Sequence, residues 1–388
     1  MNEQRPVPRT SLGRRLLYVL LGLFVWVTIG FARSYLAMGV QREERLLPSA
    51  ASSHAEDGPR LEMARRFAPV IFHAFHPTYG RQDVPAPFDF DGNMRGDDNW
   101  ESFVAYELIP TVYYSVVETK THAFLTYHIF HPRDWSKVDL GLHLTHENDG
   151  ENLQVVVDKR SGLPTLLYAQ AHYRGVIYAD QDAGASPADE PIYGPLTRVN
   201  AEGRLDPEGE HAAVYVEWGG HGIYGLPDHR SPVRFDGEGA PRFEGHGWIL
   251  RPAEDGEAVR EPSLEETAPV PYLLEPLKEA TWSALRSREL LGSGGLLDGA
   301  VTWEGIGSSI EVPRYYEGDR FSGPFGPDRG ISPFAVDFDF QEGFLGSLLF
   351  DPAARWAQAI ELPSDWSRAY LHHDYLPQAI AEAEQAGD

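Results

Sequence analysis

Between Thr145 and Asp158 the chain reads THENDGENLQVVVD, a cluster of cation-binding side chains running into a short apolar, β-branched segment. His146, Asp149 and Glu151 offer one imidazole and two carboxylates, and Glu147 and Asn148 add oxygen donors. Like charges this close repel unless a cation or solvent absorbs their field. Nitrogen and oxygen donors without sulfur suit a divalent cation, with Ca, Mg or Mn preferred over Zn. The plain alternative is a solvated acidic cap on a strand.

A second acidic run, DFDGNMRGDDNWE at 89–101, places Asp89, Asp91 and Asn93 at the first, third and fifth positions of a calcium loop, with Asp97 at the ninth. Glu101 falls one residue late and the glycine of position six is missing, so the spacing departs from the EF-hand. Two readings follow: a turn built from Asx motifs, or a secondary cation held by Asp89, Asp91 and Asp98. In VYVEWGGHGIYG, a strand runs into Gly219 and Gly220 and then His221. Paired glycines allow close backbone approach, and a histidine at a strand end sits where sites occur. The segments HIFHPRDWS, with His128, His131 and Asp134, and HHDY, with His372, His373 and Asp374, are weaker signals.

Several chemistries are excluded. The chain has no cysteine, hence no disulfide, thiolate metal site or cysteine nucleophile. It contains no Gly-x-Ser-x-Gly, no His-Glu-x-x-His and no Gly-x-x-x-x-Gly-Lys phosphate loop. A formal charge of -25 repels nucleic acid and suits cations as ligands.

The elements that must position these residues are mostly strands. TVYYSVVET (111–119) and HAFLTYHIF (122–130) form a hairpin signature, followed by LQVVVD (153–158), TLLYAQAHY (165–173) and AAVYVEW (212–218). Separation by Gly, Pro and Asp clusters predicts an antiparallel β-sandwich with helical additions. Residues 180–210 and 228–270 read as loops. Helical periodicity is expected at 61–67, along LLEPLKEATWSALRSRELL with Leu274 and Leu277 on one face, and near 353–360 and 376–385.

Ahead of this body, LLYVLLGLFVWVTIGFA (16–32) carries no charge and follows Arg5, Arg9, Arg14 and Arg15. At about 1.5 Å per residue it just spans a bilayer core. It reads as an uncleaved transmembrane signal anchor, with a cleaved signal peptide as the alternative. The arginines before it place the N-terminus in the cytoplasm and the main domain in the periplasm or outside the cell. The expected organisation is a basic cytoplasmic segment (1–15), the anchor (16–32), a tether (33–60), a sandwich domain with loop insertions (61–270) and a mixed helical extension packed on it (271–388).

Taken together, these motifs resemble the β-sandwich group of the Vps62-related proteins and the necrosis-inducing, NPP1-like cytolysins. The latter carry a Gly-His-Arg-His-Asp-Trp-Glu heptapeptide that binds a divalent cation, beside which a sphingolipid sugar headgroup docks. His146 matches its first histidine, Asp149 its aspartate and Glu151 its glutamate; Thr145, Asn148 and Gly150 replace the glycine, the second histidine and the tryptophan. VYVEWGGHGIY is similar to a Vps62-type strand end, with His221 at the position of its histidine, and HPRDWS is a rival match to the Asp-Trp element. The resemblance spans residues 61–230.

The expectation is a membrane-anchored external protein holding a cation at His146, Asp149, Glu151 and His221, and through it a glycan or lipid headgroup. The rival readings are a metal-dependent hydrolase of a phosphoester, lipid or glycan, in which Glu147 or His221 moves the proton, and a non-catalytic structural envelope protein. The binding reading is preferred to the enzyme.

Overall fold

The computed structural model describes residues 12–38, 46–53, 58–94, 98–135, 146–172, 174–282, 300–305, 308–313, 334, 336–338 and 346–375. Leu12–Met38 forms one helix containing the stretch Gly13–Ala32, long and apolar enough to cross a membrane. Its Leu20, Phe24 and Ile29 are exposed, so no protein core covers them.

Among the described residues the body is built on one curled sheet of 13 strands, with three two-stranded sheets beside it. Its first six strands are β1 (Val70–Ala74), β2 (Thr111–Thr119), β3 (His122–Asp134), β4 (His146–Asp158), β5 (Leu163–Ala171) and β6 (Arg174–Ala179). The path runs 223–225, 211–216, β1, 247–252, 270–276, β2, β3, β4, β5, β6 and 192–195. Curling brings Ile71, Val214 and Trp248 from one half against Leu125, Val155 and Leu167 from the other, in one buried cluster. Strand alternation builds this interior: Leu125, Tyr127 and Ile129 of β3 and Leu153, Val155 and Val157 of β4 point in.

From β2 to β6 each neighbouring pair is antiparallel, as expected. The antiparallel expectation does not extend to the whole sheet. β1 with 211–216, 247–252 with 270–276, and 270–276 with β2 are parallel. Their partners lie far apart in sequence, joined by long crossovers instead of tight turns.

Local expectations also change: Ile192–Pro195, read as loop, pairs with β6. Residues 247–252, read as loop, pair with β1 and 270–276, and Trp248 and Leu250 fill the core. The periodic stretch from Leu273 begins as the strand Val270–Pro276, and only Lys278–Trp282 is helical before the described residues end at 282. Tertiary pairing on both edges outweighs a helical pattern carried by a few leucines. The sheet therefore continues past residue 270, where the sequence reading divides the chain. Beyond it, Tyr370–His373 pairs with β2, and the helices Ser347–Phe350 and Pro352–Ala359 cover the sheet's outer face. There Trp356, Leu348 and Leu349 pack with Phe124, Val156 and Tyr168. The expected helix at 376–385 and the Gly-rich 292–299 lie outside the described residues.

Candidate metal centre

At one end of the sandwich the same alternation that fills the core with aliphatic side chains turns charged groups inward. His131 follows Ile129 on the inner face of β3, and Asp149 and Glu151 precede Leu153 on the inner face of β4. His131 stands directly across from Asp149, and Ile129 across from Glu151. From the facing half, His73 follows Ile71 on the inner side of β1. His221 comes from the loop between strands 211–216 and 223–225. All five are fully buried.

One ligand atom each of His131, Asp149 and His221 lie within 4.8 Å of one another. His221 Nδ1 is 2.5 Å from Asp149 Oδ2, and its Nε2 is 3.3 Å from Asp83 Oδ1. The His131 and His221 rings stack with centroids 3.6 Å apart. Asp83, at the end of the turn Gly80–Asp83, accepts from Gly219 N at 2.8 Å, Trp135 Nε1 at 3.3 Å and His76 N at 3.0 Å. It thereby ties β3 and the His221 loop together.

The protonation pattern follows from the contacts. His73 Nδ1 faces the Ala74 carbonyl at 2.8 Å, which only accepts, so Nδ1 donates and the neutral ring presents Nε2 as an acceptor. His131 Nε2 lies 2.9 Å from that nitrogen and must donate to it. The remaining nitrogen, His131 Nδ1, is left as a bare lone pair, buried and without a hydrogen-bond partner among the described residues. A chain of this kind, metal-ligating imidazole to second acceptor, is how proteins fix the tautomer of a ligand histidine. Burial, with the charge of His221 next, lowers the His73 pKa to about 4 and holds His131 well below its ordinary value. Burial also opposes charge on His221, but its hydrogen bonds to Asp149 and Asp83 and their charges prevail, and its pKa rises to about 10.

Among the described residues, the three non-glycine residues with positive φ all border this centre: Asn148 at 60°, His172 at 57° and His221 at 50°. Such backbone is costly and concentrates at functional sites. Asn148 Oδ1 accepts from Asn99 Nδ2 at 2.5 Å. His172 sits at the tight β5–β6 turn, where its N donates to Glu151 Oε1 at 3.0 Å and its Nε2 meets Glu217 Oε1 at 2.5 Å.

Of the residues singled out in the sequence, Asp149 and His221 meet directly. Glu151 lies one inward position further along β4, against His172. The backbone of His146 pairs with Asp134, and its side chain, like that of Glu147, lies outside the described residues. Asp89, Asp91 and Asp98 are not members of the His131–Asp149–His221 group. Asp91 Oδ1 accepts from Asn93 N at 3.2 Å, an Asx turn, Asp89 Oδ2 from Ser52 N at 2.9 Å, and Asp98 Oδ2 from Asn93 Nδ2 at 3.4 Å. His128 points to the opposite face from His131, toward Asn152 Oδ1 at 2.9 Å. Sequence reasoning missed His73 and Asp83 and left His131 as a weak signal. Strand parity with Ile71 and Ile129 marks the two histidines as inward; Asp83 carries no such mark.

No protein-family model and no curated protein matches the chain. Among solved structures it is similar to a toxin fold described as a basis for microbial attack and plant defense, with TM-score 0.34 and 14% identity over 66% of this chain and 91% of that one. A second structure of a toxin fold for microbial attack and plant defense gives 0.30 and 16% over 49% and 78%. NLPPya in complex with glucosamine gives 0.29 and 16% over 47% and 77%. All three likenesses are distant, at 16% identity or less.

Proposed function

We propose that the protein is a cation-dependent binding protein held at a membrane by its N-terminal helix, with the β body on the external side. His131, Asp149 and His221 hold one divalent cation, with Glu151, and His146 as read from the sequence, completing or buttressing the set. The observation that carries this reading is the buried lone pair of His131 Nδ1, whose tautomer is fixed by His73 and Ala74 beside the His221–Asp149 pair. A buried lone pair placed beside a second imidazole and a carboxylate is a ready ligand for a cation.

Two imidazoles and a carboxylate favour Mn or Zn over the all-oxygen preference of Ca and Mg. Full burial of the three side chains favours a cation that holds structure over one with an open position for turnover. The cation then organises Gly219–Gly222 and the start of β4, and the adjoining surface receives the ligand. A glycan or lipid headgroup is the ligand class we assign, on the resemblance of the Thr145–Asp158 segment. The exposed apolar face of the helix 12–38 is matched by a lipid bilayer.

The test is binding of full-length protein in mild detergent to glycan-bearing and glycan-free lipid vesicles, before and after chelation. Chelator-sensitive binding confined to the glycan-bearing vesicles is expected. Equal binding to both, unaffected by chelator, would contradict the reading.

A further inference from the structure

The tether between the apolar helix and the β body is shorter than the 33–60 expected from the sequence, because residues 46–53 lie on the body. Leu47 N donates to the Ala105 carbonyl at 2.7 Å and the Leu47 carbonyl accepts from Glu107 N at 2.8 Å, a parallel bridge beside Tyr106. Ala50 N donates to the Phe90 carbonyl at 2.9 Å, Ser52 N to Asp89 Oδ2 at 2.9 Å and Ser53 Oγ to Glu275 Oε1 at 3.2 Å. The reach from the helix to the body therefore ends at Leu47.

That reach is limited. Helix 12–38 runs six residues past Ala32, where its apolar stretch ends, which adds about 9 Å at about 1.5 Å per residue. The nine steps from Met38 to Leu47 add at most about 32 Å when fully extended. A bilayer around the helix thus lies within about 41 Å of Leu47. A compact body of about 330 residues has a radius of gyration of about 20 Å and is about 50 Å across. The side opposite Leu47 cannot then be the one that meets the bilayer.

The stapled side carries groups that suit a boundary of water and lipid. Leu47 is 51% exposed. Tyr106 is half-buried, and the Arg81 guanidinium donates to its carbonyl and to that of Phe103, joining it to the turn that follows Tyr79. Tyr79 stacks on His76 with ring centroids 5.1 Å apart, and His76 meets Trp218 at 5.6 Å. Tyr79 and Trp218 are half-buried, and Pro77 and Thr78 are exposed. Partly exposed tyrosine and tryptophan settle at the headgroup level of a bilayer. The start of β4 lies on this side too: Asn99 Nδ2 donates to Asn148 Oδ1 at 2.5 Å, and successive turns carry the chain from Asn99 to Tyr106 over about 10 Å. From Asn148, β4 runs about 33 Å to Asp158, so the β4–β5 turn is at the far end.

We infer that the body docks on the bilayer that holds its own helix, with Leu47, Tyr79, Tyr106 and Trp218 at the headgroup level. This contact rests on the proposed membrane anchoring and needs neither cation nor glycan. A chain of net charge -25 gains nothing from anionic lipid, so a zwitterionic bilayer suffices. The centre at the start of β4 is thereby turned toward ligands of the protein's own leaflet and away from an opposing membrane.

The chain has no cysteine, so single cysteines can carry a fluorescent label. Thr78→Cys, on the docking side, and Ser161→Cys, in the β4–β5 turn, replace exposed residues. The experiment places each labelled full-length protein in phosphatidylcholine nanodiscs bearing headgroup nitroxides and reads quenching with and without chelator. The label at position 78 should be quenched at least threefold more than the label at 161, equally in chelator. Leu47→Glu should at least halve that difference with the melting temperature unchanged. Nitroxide confined to separate, empty discs should quench neither label. Equal quenching of the two labels, stronger quenching at 161, indifference to Leu47→Glu, or equal quenching of position 78 from separate discs would overturn the inference. Quenching at 78 that vanishes in chelator would overturn it too, making the contact a property of the metal centre. Protein that fails to co-elute with the discs would instead overturn the anchoring itself.

Discussion

His131 and His221 lie ring on ring, 3.6 Å between centroids and 10° from parallel, one from strand β3 and the other from a loop of the facing half. The two rings are held in different states. Burial keeps His131 neutral, whereas Asp149 and Asp83 keep His221 protonated against the same burial. The positive charge that the two carboxylates call for is thus supplied by the His221 proton, and a cation ligated by His221 would replace it.

That exchange predicts proton release. With the His221 pKa at about 10, loading a cation through its ring at pH 7 should expel about one proton per cation. Affinity should strengthen as pH rises toward 10. Calorimetry in two buffers of different ionisation heat reads this directly; binding heats independent of buffer would contradict it.

Gly219 has φ +85°, and a Cβ there would stand 2.8 Å from the Trp135 carbonyl oxygen. Gly219→Ala should cost about 1–3 kcal/mol from the strained backbone alone and should weaken cation binding by displacing the His221 loop. Gly237→Ala, where a Cβ meets nothing within 4 Å, is the matched control and should be neutral. Equal melting temperatures for the two variants would contradict the prediction.

His128 is buried on the outer face of β3 with its pKa lowered to about 4 by burial, partly offset by its bond to Asn152. The folded state keeps it neutral while the unfolded chain takes up a proton below about 6.5. Its contribution is therefore complete above that pH and is lost as pH falls toward 4, by roughly 3 kcal/mol. In chelated protein His128→Gln should flatten the fall in denaturation free energy between pH 6.5 and 4. An unchanged slope would contradict this.

Gln154 fastens the C-terminal helices to the sheet. Its Nε2 donates to the Leu348 carbonyl and its Oε1 accepts from Trp356 Nε1, each at 2.7 Å. Gln154→Leu strands both partners in a buried layer and should cost about 2–5 kcal/mol. Limited proteolysis should then cut first near 346–360; protection equal to wild type would contradict the docking.

Much of the sheet is legible in the sequence because alternation of aromatic and β-branched residues is a local signal. The 111–130 hairpin, the β4 run and the helix near 353–360 fall where periodicity places them. The strand 270–276 does not, since its leucines also fit a helix and only its two parallel partners decide the matter. The centre is half legible for the same reason. Asp149 shares parity with Leu153, so its inward direction is written in β4, and paired glycines flag His221. Nothing local says that His73 faces His131 across the core or that Asp83 reaches Gly219, because those meetings depend on how the sheet curls.

The central claim is that this centre holds a cation, and elemental mass spectrometry of full-length protein purified without chelator tests it most directly. Wild type, Asp149→Ala and His131→Ala should be measured side by side. The account predicts one divalent cation per chain in the wild type, lost in both variants. Wild-type protein that carries no cation, and whose melting temperature is unmoved by added Ca, Mg, Mn or Zn, would contradict it.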